Sequence, residues 1–393
     1  MRSSSSHAHQ WMVLPNILVF VLLALTKTAI GDPFPPATLD SGPNLPTAPI
    51  QPCTTDGSCA GVLRLSSFGG NGGATDMIYV GSHDLSPSNV YHNVTTVVLT
   101  FHGAACDAYN YYSILVDVAQ NTTGVDLNTH AFFVPLFPVK STTQAYTWGV
   151  PQGGLNLAVF SASTKWSTGD VADNNNAMTS FDMVDAFLAT IAQAFPSAKI
   201  VLASHSAGAQ LVHRYSLFTD PQTFSKYQVI LANSGTYTYQ SNHRLTQAAL
   251  LSCQDQSCLG TLNASSFEPY SNSACSDANS FPYGLDNLSG PYVTSHLGNA
   301  HQGPSLRCLK QTMLLGSKDT LRTTANPPLD MTCGADAEGY VRIERGLAYA
   351  AYFDYIVGCN TMDVHIVDGC YHDAWCMLSS PIAKSLTFGV PLA

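Results

Sequence analysis

Charge is scarce in this sequence. Of its 393 residues 11% are Asp, Glu, Lys or Arg, and 16 basic side chains stand against 26 acidic ones, for a formal net charge of −10. Soluble domains ordinarily carry about 25% charged residues, so Ser, Thr, Asn, Gln and attached glycans must keep this surface wet. Lys and Arg nowhere form a run, and without a basic patch nothing is available to neutralise phosphates. Nucleic-acid binding is thereby excluded. Zinc-type Cys-x-x-Cys spacing is missing, as are internal repeats and any apolar run of the roughly 20 residues a bilayer span requires. Apolar material, in contrast, is plentiful: 45% hydrophobic residues over this length can build a large core. That excludes both wholesale disorder and a small disulfide-stapled scaffold.

The N-terminus has its own character. Arg2 and a Ser-rich start precede an apolar run over residues 17–25, and Ala29-Ile30-Gly31 supplies small residues at cleavage spacing. Residues 1–31 therefore read as a secretory signal peptide. A membrane anchor is the competing reading, but the run is short and Pro15 and Asn16 interrupt it upstream. The mature protein is expected to be secreted, with no membrane span. In an oxidising compartment disulfides are the default state of Cys53, Cys59, Cys253, Cys258, Cys275, Cys308, Cys333, Cys359, Cys370 and Cys376. The total of 11 is odd, and Cys106, remote from the others, is the expected leftover thiol. Short loops would close between Cys53 and Cys59, Cys253 and Cys258, and Cys370 and Cys376, although spacing does not fix connectivity. Sequons at Asn93, Asn121, Asn263 and Asn287 agree with export and glycosylation.

Residues 32–58 are rich in Pro and turn formers and read as an extended leader, with the folded domain expected over 59–393. From there short β-branched runs recur: DMIYVGS, TTVVLTFHG, AFFVPLFP, KIVLASHS, YQVILANSG, QTMLLGSKD and DVHIVDG. Continuous apolar runs of this length are strands buried on both faces. Residues 181–195, 206–218 and 346–356 carry helical periodicity between them. Strand and helix alternating over some 300 residues predict an α/β fold with a mostly parallel central sheet. From about 237 to 306 the chain shows neither period and is rich in Ser, Asn and Gln. This stretch reads as an insertion before the next strand, over one end of the sheet and beside a ligand crevice.

The chemistry concentrates in KIVLASHSAGAQLVHRY. An apolar strand runs directly into Ser204-His205-Ser206-Ala207-Gly208 and then a helical pattern, with no loop residues between. A strand, a one-residue turn and a helix would hold the Ser206 hydroxyl above the sheet in a strained backbone conformation, with small neighbours where strand and helix nearly touch. The helix N-terminus, with its unpaired amides, favours negative charge at the same point. A Ser that merely caps the helix is the plainer alternative.

This segment resembles the nucleophile elbow of the α/β-hydrolase fold, usually Gly-x-Ser-x-Gly, with Ser204 in place of the first Gly. The resemblance extends over about residues 60–390. It implies that His102-Gly103, ending an apolar strand upstream, belongs to the turn that supplies half of an oxyanion hole, with backbone donors at Ala207 and at Gly103 or Ala104. It implies a catalytic base at His372, just beyond the last apolar strand, and an acid at Asp319, at the end of the preceding one. The order Ser206, Asp319, His372 is the order of that family. Asp330, Asp363 and Asp373 are rival acids. His365 is expected in the core, His205 to point inward, and His83, His92, His130, His243, His296 and His301 to pack or face solvent. The segments FPYGLDNLSGPY, LDMTCGADAEGYVRIERGLAYAAYF and NSGTYTY resemble an α/β-hydrolase subgroup without an assigned activity, and Arg214, Arg342, Glu344 and Arg345 within or near them read as structural ion pairs.

The expected function is a secreted serine hydrolase acting on a small or polymeric carboxylic ester through an acyl-enzyme on Ser206, with no metal or organic cofactor implied. Trp148, Tyr237, Tyr239, Tyr283 and Trp375 are candidates for an apolar pocket or for the core. A non-catalytic surface or glycan-binding protein of the same fold, and an acyltransferase, are the alternatives.

Overall fold

The computed structural model describes residues 59–65, 75–140, 157–173, 175–253, 255–297, 308–324, 328–359 and 361–392. Residues 1–58, over which the signal peptide and leader are expected, lie outside the described residues, as do Trp148 and His301.

Twelve strands occur among the described residues: β1 (Cys59–Leu65), β2 (Thr75–Gly81), β3 (Thr96–Leu99), β4 (His130–Pro135), β5 (Val171–Ala172), β6 (Asn175–Thr179), β7 (Lys199–His205), β8 (Gln228–Ala232), β9 (His243–Leu245), β10 (Phe267–Pro269), β11 (Gln311–Gly316) and β12 (Met362–Val367). Eight form one sheet in the order β1-β2-β4-β3-β7-β8-β11-β12, and β5/β6 and β9/β10 are separate two-stranded ribbons. β2 runs antiparallel to both neighbours. All other pairs in the sheet are parallel. Each of the seven apolar runs of the sequence supplies one of these strands. The eighth, β1, carries Gly61 and Arg64 within CAGVLRL and sits at the edge, where no continuous apolar run is needed. This arrangement, with helices on both faces, is the α/β-hydrolase fold.

Seven helices matter for the site: α1 (Ala108–Gln120), α2 (Ser180–Ala194), α3 (Ala207–Phe218), α4 (Gln247–Ser252), α5 (Arg342–Tyr352), α6 (Ala374–Ser379) and α7 (Pro381–Phe388). α2 begins where a capping box forms between Thr179 and Asp182, each side chain accepting the other residue's backbone N–H. α5 is buried along its whole length, which the polar residues of RIERGLAYAAY would not suggest. β11 shows why the sheet needs cover on both sides. Its Met313 and Leu315 pack into one apolar cluster with Leu347 and Tyr349 of α5, and Leu314 between them packs into the other with Met377 and Ala383. Alternation of this kind is what period 2 imposes on a central strand.

The described part of the 237–306 segment contributes to both clusters. Tyr239, Leu245, Cys253 and Phe267 pack with α5, and Tyr292 packs against Phe181 and Tyr215. Disulfides join Cys253 to Cys258, Cys275 to Cys333, Cys308 to Cys359 and Cys370 to Cys376. Cys106 is buried outside them, its thiol directed at Ala104 O at 3.6 Å. Asn93, Asn121, Asn263 and Asn287 are all exposed. No helix among the described residues is long and apolar enough to cross a membrane.

The structure corrects one expectation about the strands. His365 is not in the core: β12 is the other edge strand, and the His365 ring is 34% exposed and paired with Asp363 at 2.9 Å.

Candidate active site

The carboxyl ends of β7, β8, β11 and β12 converge on Ser206. Its N–H still donates to Ala232 O of β8 at 3.0 Å, as a strand residue would, and its carbonyl already accepts the Gln210 N–H at 3.1 Å, as a helix N-cap would. One residue therefore ends the strand and starts α3. The cost is a backbone at φ 58° and ψ −124°, a conformation that costs a non-glycine residue about 1–3 kcal/mol. Gly208 is obligatory in this packing, because a Cβ there would collide with Phe101 O. Ser204, at the position where the fold family usually has Gly, turns its hydroxyl away from the helix and donates to Ile230 O at 3.1 Å. The Ser206 side chain makes no cap bond to the helix.

The Ser206 hydroxyl lies 2.7 Å from His372 Nε2, and His372 Nδ1 lies 2.7 Å from Asp319 Oδ2. A carboxylate accepts, so Nδ1 carries the imidazole proton and Nε2 is left as the acceptor for the Ser206 O–H. Asp319 and His372 side chains are 1% and 6% exposed. Burial, the largest influence, pushes the His372 imidazole below its ordinary pKa of 6.5, against the upward pull of Asp319. The rival acids are engaged elsewhere: Asp330 accepts the Tyr283 O–H, Asp363 pairs with His365, and Asp373 caps α6 through the Cys376 N–H.

Two residues that the sequence did not single out as part of the site hold these three. Asn233, at φ 46° just past β8, accepts the Gly316 N–H at 2.7 Å and donates to Tyr371 O at 2.9 Å, so it ties the acid strand to the loop of His372. An Asn directly after a strand and before Ser-Gly was the available signal, since Asn tolerates positive φ. Arg342 pairs with Asp319 Oδ1 at 3.3 Å. Its assignment to an ion pair stands, but the partner is the candidate acid. The loop of His372 is also closed by the Cys370–Cys376 disulfide and packed on Gly316, where a Cβ would lie 2.6 Å from Cys370 O.

His205 points inward. Its ring is buried beside that of His372, centroids 4.8 Å apart, with Nδ1 2.8 Å from the Tyr111 hydroxyl. Burial pushes its pKa well down, with His372 and Arg342 adding to the effect, so it stays neutral. Upstream, His102 Nε2 accepts the Phe137 N–H at 3.0 Å, which puts the ring proton on Nδ1 for donation to Gly103 O at 2.8 Å. The Cys106 N–H also reaches Gly103 O, at 3.2 Å, and the turn bearing Gly103 and Ala104 is closed. Contact of Gly208 with Phe101 O and His102 O brings this turn beside the start of α3, where Ala207 N–H, as a first-turn amide, has no intrahelical acceptor.

The aromatic candidates separate. Tyr237 and Tyr239 are core residues, stacked on or edge-on to Tyr349. Tyr283 is buried with its hydroxyl bonded to Asp330. Trp375 is 38% exposed and donates its indole N–H to Asp117.

No family model matches the chain, and no curated protein sequence does. Among solved structures, poly(aspartic acid) hydrolase-1 from Sphingomonas sp. KT-1 superposes with a TM-score of 0.51 at 19% identity, over 86% of this chain and 99% of that one. LpqC, a poly(3-hydroxybutyrate) depolymerase from Bordetella parapertussis, gives 0.48 at 19% identity over 80% and 85%. The siderophore hydrolase EstB from Aspergillus nidulans gives 0.42 at 11% identity over 86% and 98%. At these identities the first likeness is one of fold, and the other two add no further argument.

Proposed function

We propose that this chain is a secreted serine hydrolase that cleaves a carboxylic ester through an acyl-enzyme on Ser206. The domain would follow a signal peptide over residues 1–31 and a leader over 32–58. The observation that carries the reading is the unbroken chain of 2.7 Å contacts from the Ser206 hydroxyl through His372 to Asp319, on a backbone strained at the serine alone among the three.

In the proposed reaction Ser206 Oγ attacks the ester carbonyl carbon as its proton passes to His372 Nε2. Asp319 holds the imidazole in the tautomer that can accept and stabilises the imidazolium that results. Backbone amides at Ala207 and at the Gly103–Ala104 turn face the oxyanion, each donor contributing about 3 kcal/mol. Collapse expels the alcohol with the proton from Nε2, and water then enters by the same steps to release the acid and restore Ser206. Because His372 lies below its ordinary pKa, it is an unprotonated base at neutral pH, and the acid limb of kcat/KM is expected below pH 6.5. Exposed sequons and the disulfides support a secreted protein.

The test compares wild type with Ser206→Ala, using a short-chain nitrophenyl ester and a fluorophosphonate label. Wild type is expected to turn over and to label, and the variant to do neither. Labelling of the variant, or an inert wild type, overturns the reading.

A further inference from the structure

Arg342 is in an unusual place. It opens α5 at the first helical position, where the partial positive charge of the helix terminus disfavours a cation. Its side chain is 4% exposed, with one guanidinium nitrogen on Asp319 Oδ1 at 3.3 Å and another on Pro328 O at 2.6 Å. Helix chemistry gives no reason for a buried Arg there. The carboxylate it meets offers its second oxygen to His372, so one buried acid is shared between guanidinium and imidazole.

We propose that Arg342 is a positioning residue of this site, acting through Asp319: it pins Oδ1 so that Oδ2 alone faces His372, and the pair presents no net charge to the imidazole. The inference rests on the serine-hydrolase reading above and extends it to the pH range in which the base is available. The charged and titratable groups around His372 are Asp319 after β11, Arg342 from α5, His205 at the end of β7, and the adjacent Asp373. His205 is neutral, so Asp319 and Asp373 pull the imidazole toward protonation and Arg342 opposes them. Burial is the largest influence keeping the imidazole unprotonated, and without Arg342 the pull of Asp319 and Asp373 toward protonation would meet less opposition. Arg342 thereby adds to burial in keeping the base free on the acid side of neutrality.

The experiment is kcat and KM for a nitrophenyl ester, from mildly acidic to mildly alkaline pH, on the full-length protein and its Arg342→Gln and Arg342→Lys variants. Arg342→Gln is expected to move the midpoint of the acid limb upward by about 1 unit, so that kcat/KM below the wild-type midpoint falls about tenfold with KM little changed. Arg342→Lys keeps the charge and is expected to keep the midpoint while losing some kcat through the lost second contact. In an Asp319→Asn background, Arg342→Gln is expected to add no further loss, because the residue acts through Asp319. An unmoved midpoint in Arg342→Gln, or losses that multiply in the Asp319→Asn background, overturns the proposal. If Arg342→Gln alone does not fold, the Lys variant and the double variant, which buries neither charge, carry the test. Failure of the underlying reading appears separately, as activity retained in Ser206→Ala.

Discussion

The rim where Ser206, Asp319 and His372 meet and the described part of the segment between β8 and β11 differ in how far they rely on local chemistry. At the rim, partners come from far along the chain: Asn233 binds Gly316 and Tyr371, 83 and 138 residues away, and His372 meets Ser206 across 166. In the segment distant ties such as Cys275–Cys333 and Tyr283–Asp330 are joined by many local ones. Thr246 caps α4, Asp255 and Asn263 cap the turns that follow them, and Cys253 joins Cys258 five residues on. Side chains placed to exchange a proton must be held to a fraction of an ångström, and strand ends of a sheet with buried ladders fix distant residues that well. A segment that only has to cover apolar surface can be closed by turn chemistry and a short covalent loop.

The largest effect is expected at the acid. Asp319→Asn is expected to cost about 10⁴-fold in kcat, through loss of the productive tautomer. It should also lower stability by roughly 3–5 kcal/mol, since Arg342 would be left buried without its charge partner. Steady-state kinetics and denaturant unfolding check the two effects, and pairing it with Arg342→Gln should recover part of the stability.

Next comes the contact that brings α3 against β3. Gly208→Ala drives a Cβ into Phe101 O, and the helix must shift to accept it. The expected outcome is about 1–3 kcal/mol of lost stability, with kcat reduced on the order of 100-fold by displacement of the Ser206 turn. A variant with wild-type kcat would mean that the elbow tolerates movement.

The disulfides sharpen the contrast. Removing Cys370–Cys376 as a Ser pair should lower kcat by roughly tenfold, because that loop bears His372. Removing Cys253–Cys258 in the same way should leave kcat unchanged and lower the Tm by a few degrees. Equal kinetic effects from both would erase the distinction between the two regions.

The smallest effect is expected beneath the segment. Burial pushes the Glu338 carboxyl up to about 8, against the pull of Arg345, Arg244 and Arg214. The folded state therefore binds more protons than the unfolded one from the ordinary carboxyl range up to about pH 8, and stability is lost as pH rises through that window. His205 and His213 act in the opposite sense. Burial holds both neutral, His213 down to about 3, so stability is drained as pH falls below the ordinary imidazole value. Thermal melts should pass through a maximum on the acid side of neutral, and Glu338→Gln should flatten the alkaline side and steepen the acid side. An unchanged alkaline limb in that variant would remove Glu338 from the account.

Much of this was legible in the sequence because it follows from period and composition. Seven of the eight sheet strands are apolar runs, since a strand covered on both faces has no polar position to spare. β1 was missed because an edge strand can keep Arg64 and Gly61. The absence of loop residues between Ala203 and Ala207 announced the turn at Ser206, because a helix that starts one residue after a strand leaves the backbone few conformations. The tyrosines at 237 and 239 read equally as pocket or core, since a buried aromatic and a ligand-facing one obey the same local rules. Helical periodicity was legible over 346–356, whereas α5 begins at Arg342, because Arg342, Glu344 and Arg345 find their partners only in the folded chain.

The layers of the fold and the turn at residue 206 follow from neighbours a few residues apart and are written in the sequence, while the candidate acid and base came from the resemblance of its motifs to a family. Only the tertiary structure decided that Asp319 rather than Asp330, Asp363 or Asp373 reaches His372, that Asn233 clips two strand ends together, and that Arg342 shares the acid. Those are contacts between residues separated by 23 to 138 positions, and no local periodicity encodes the relative height at which separate strands end.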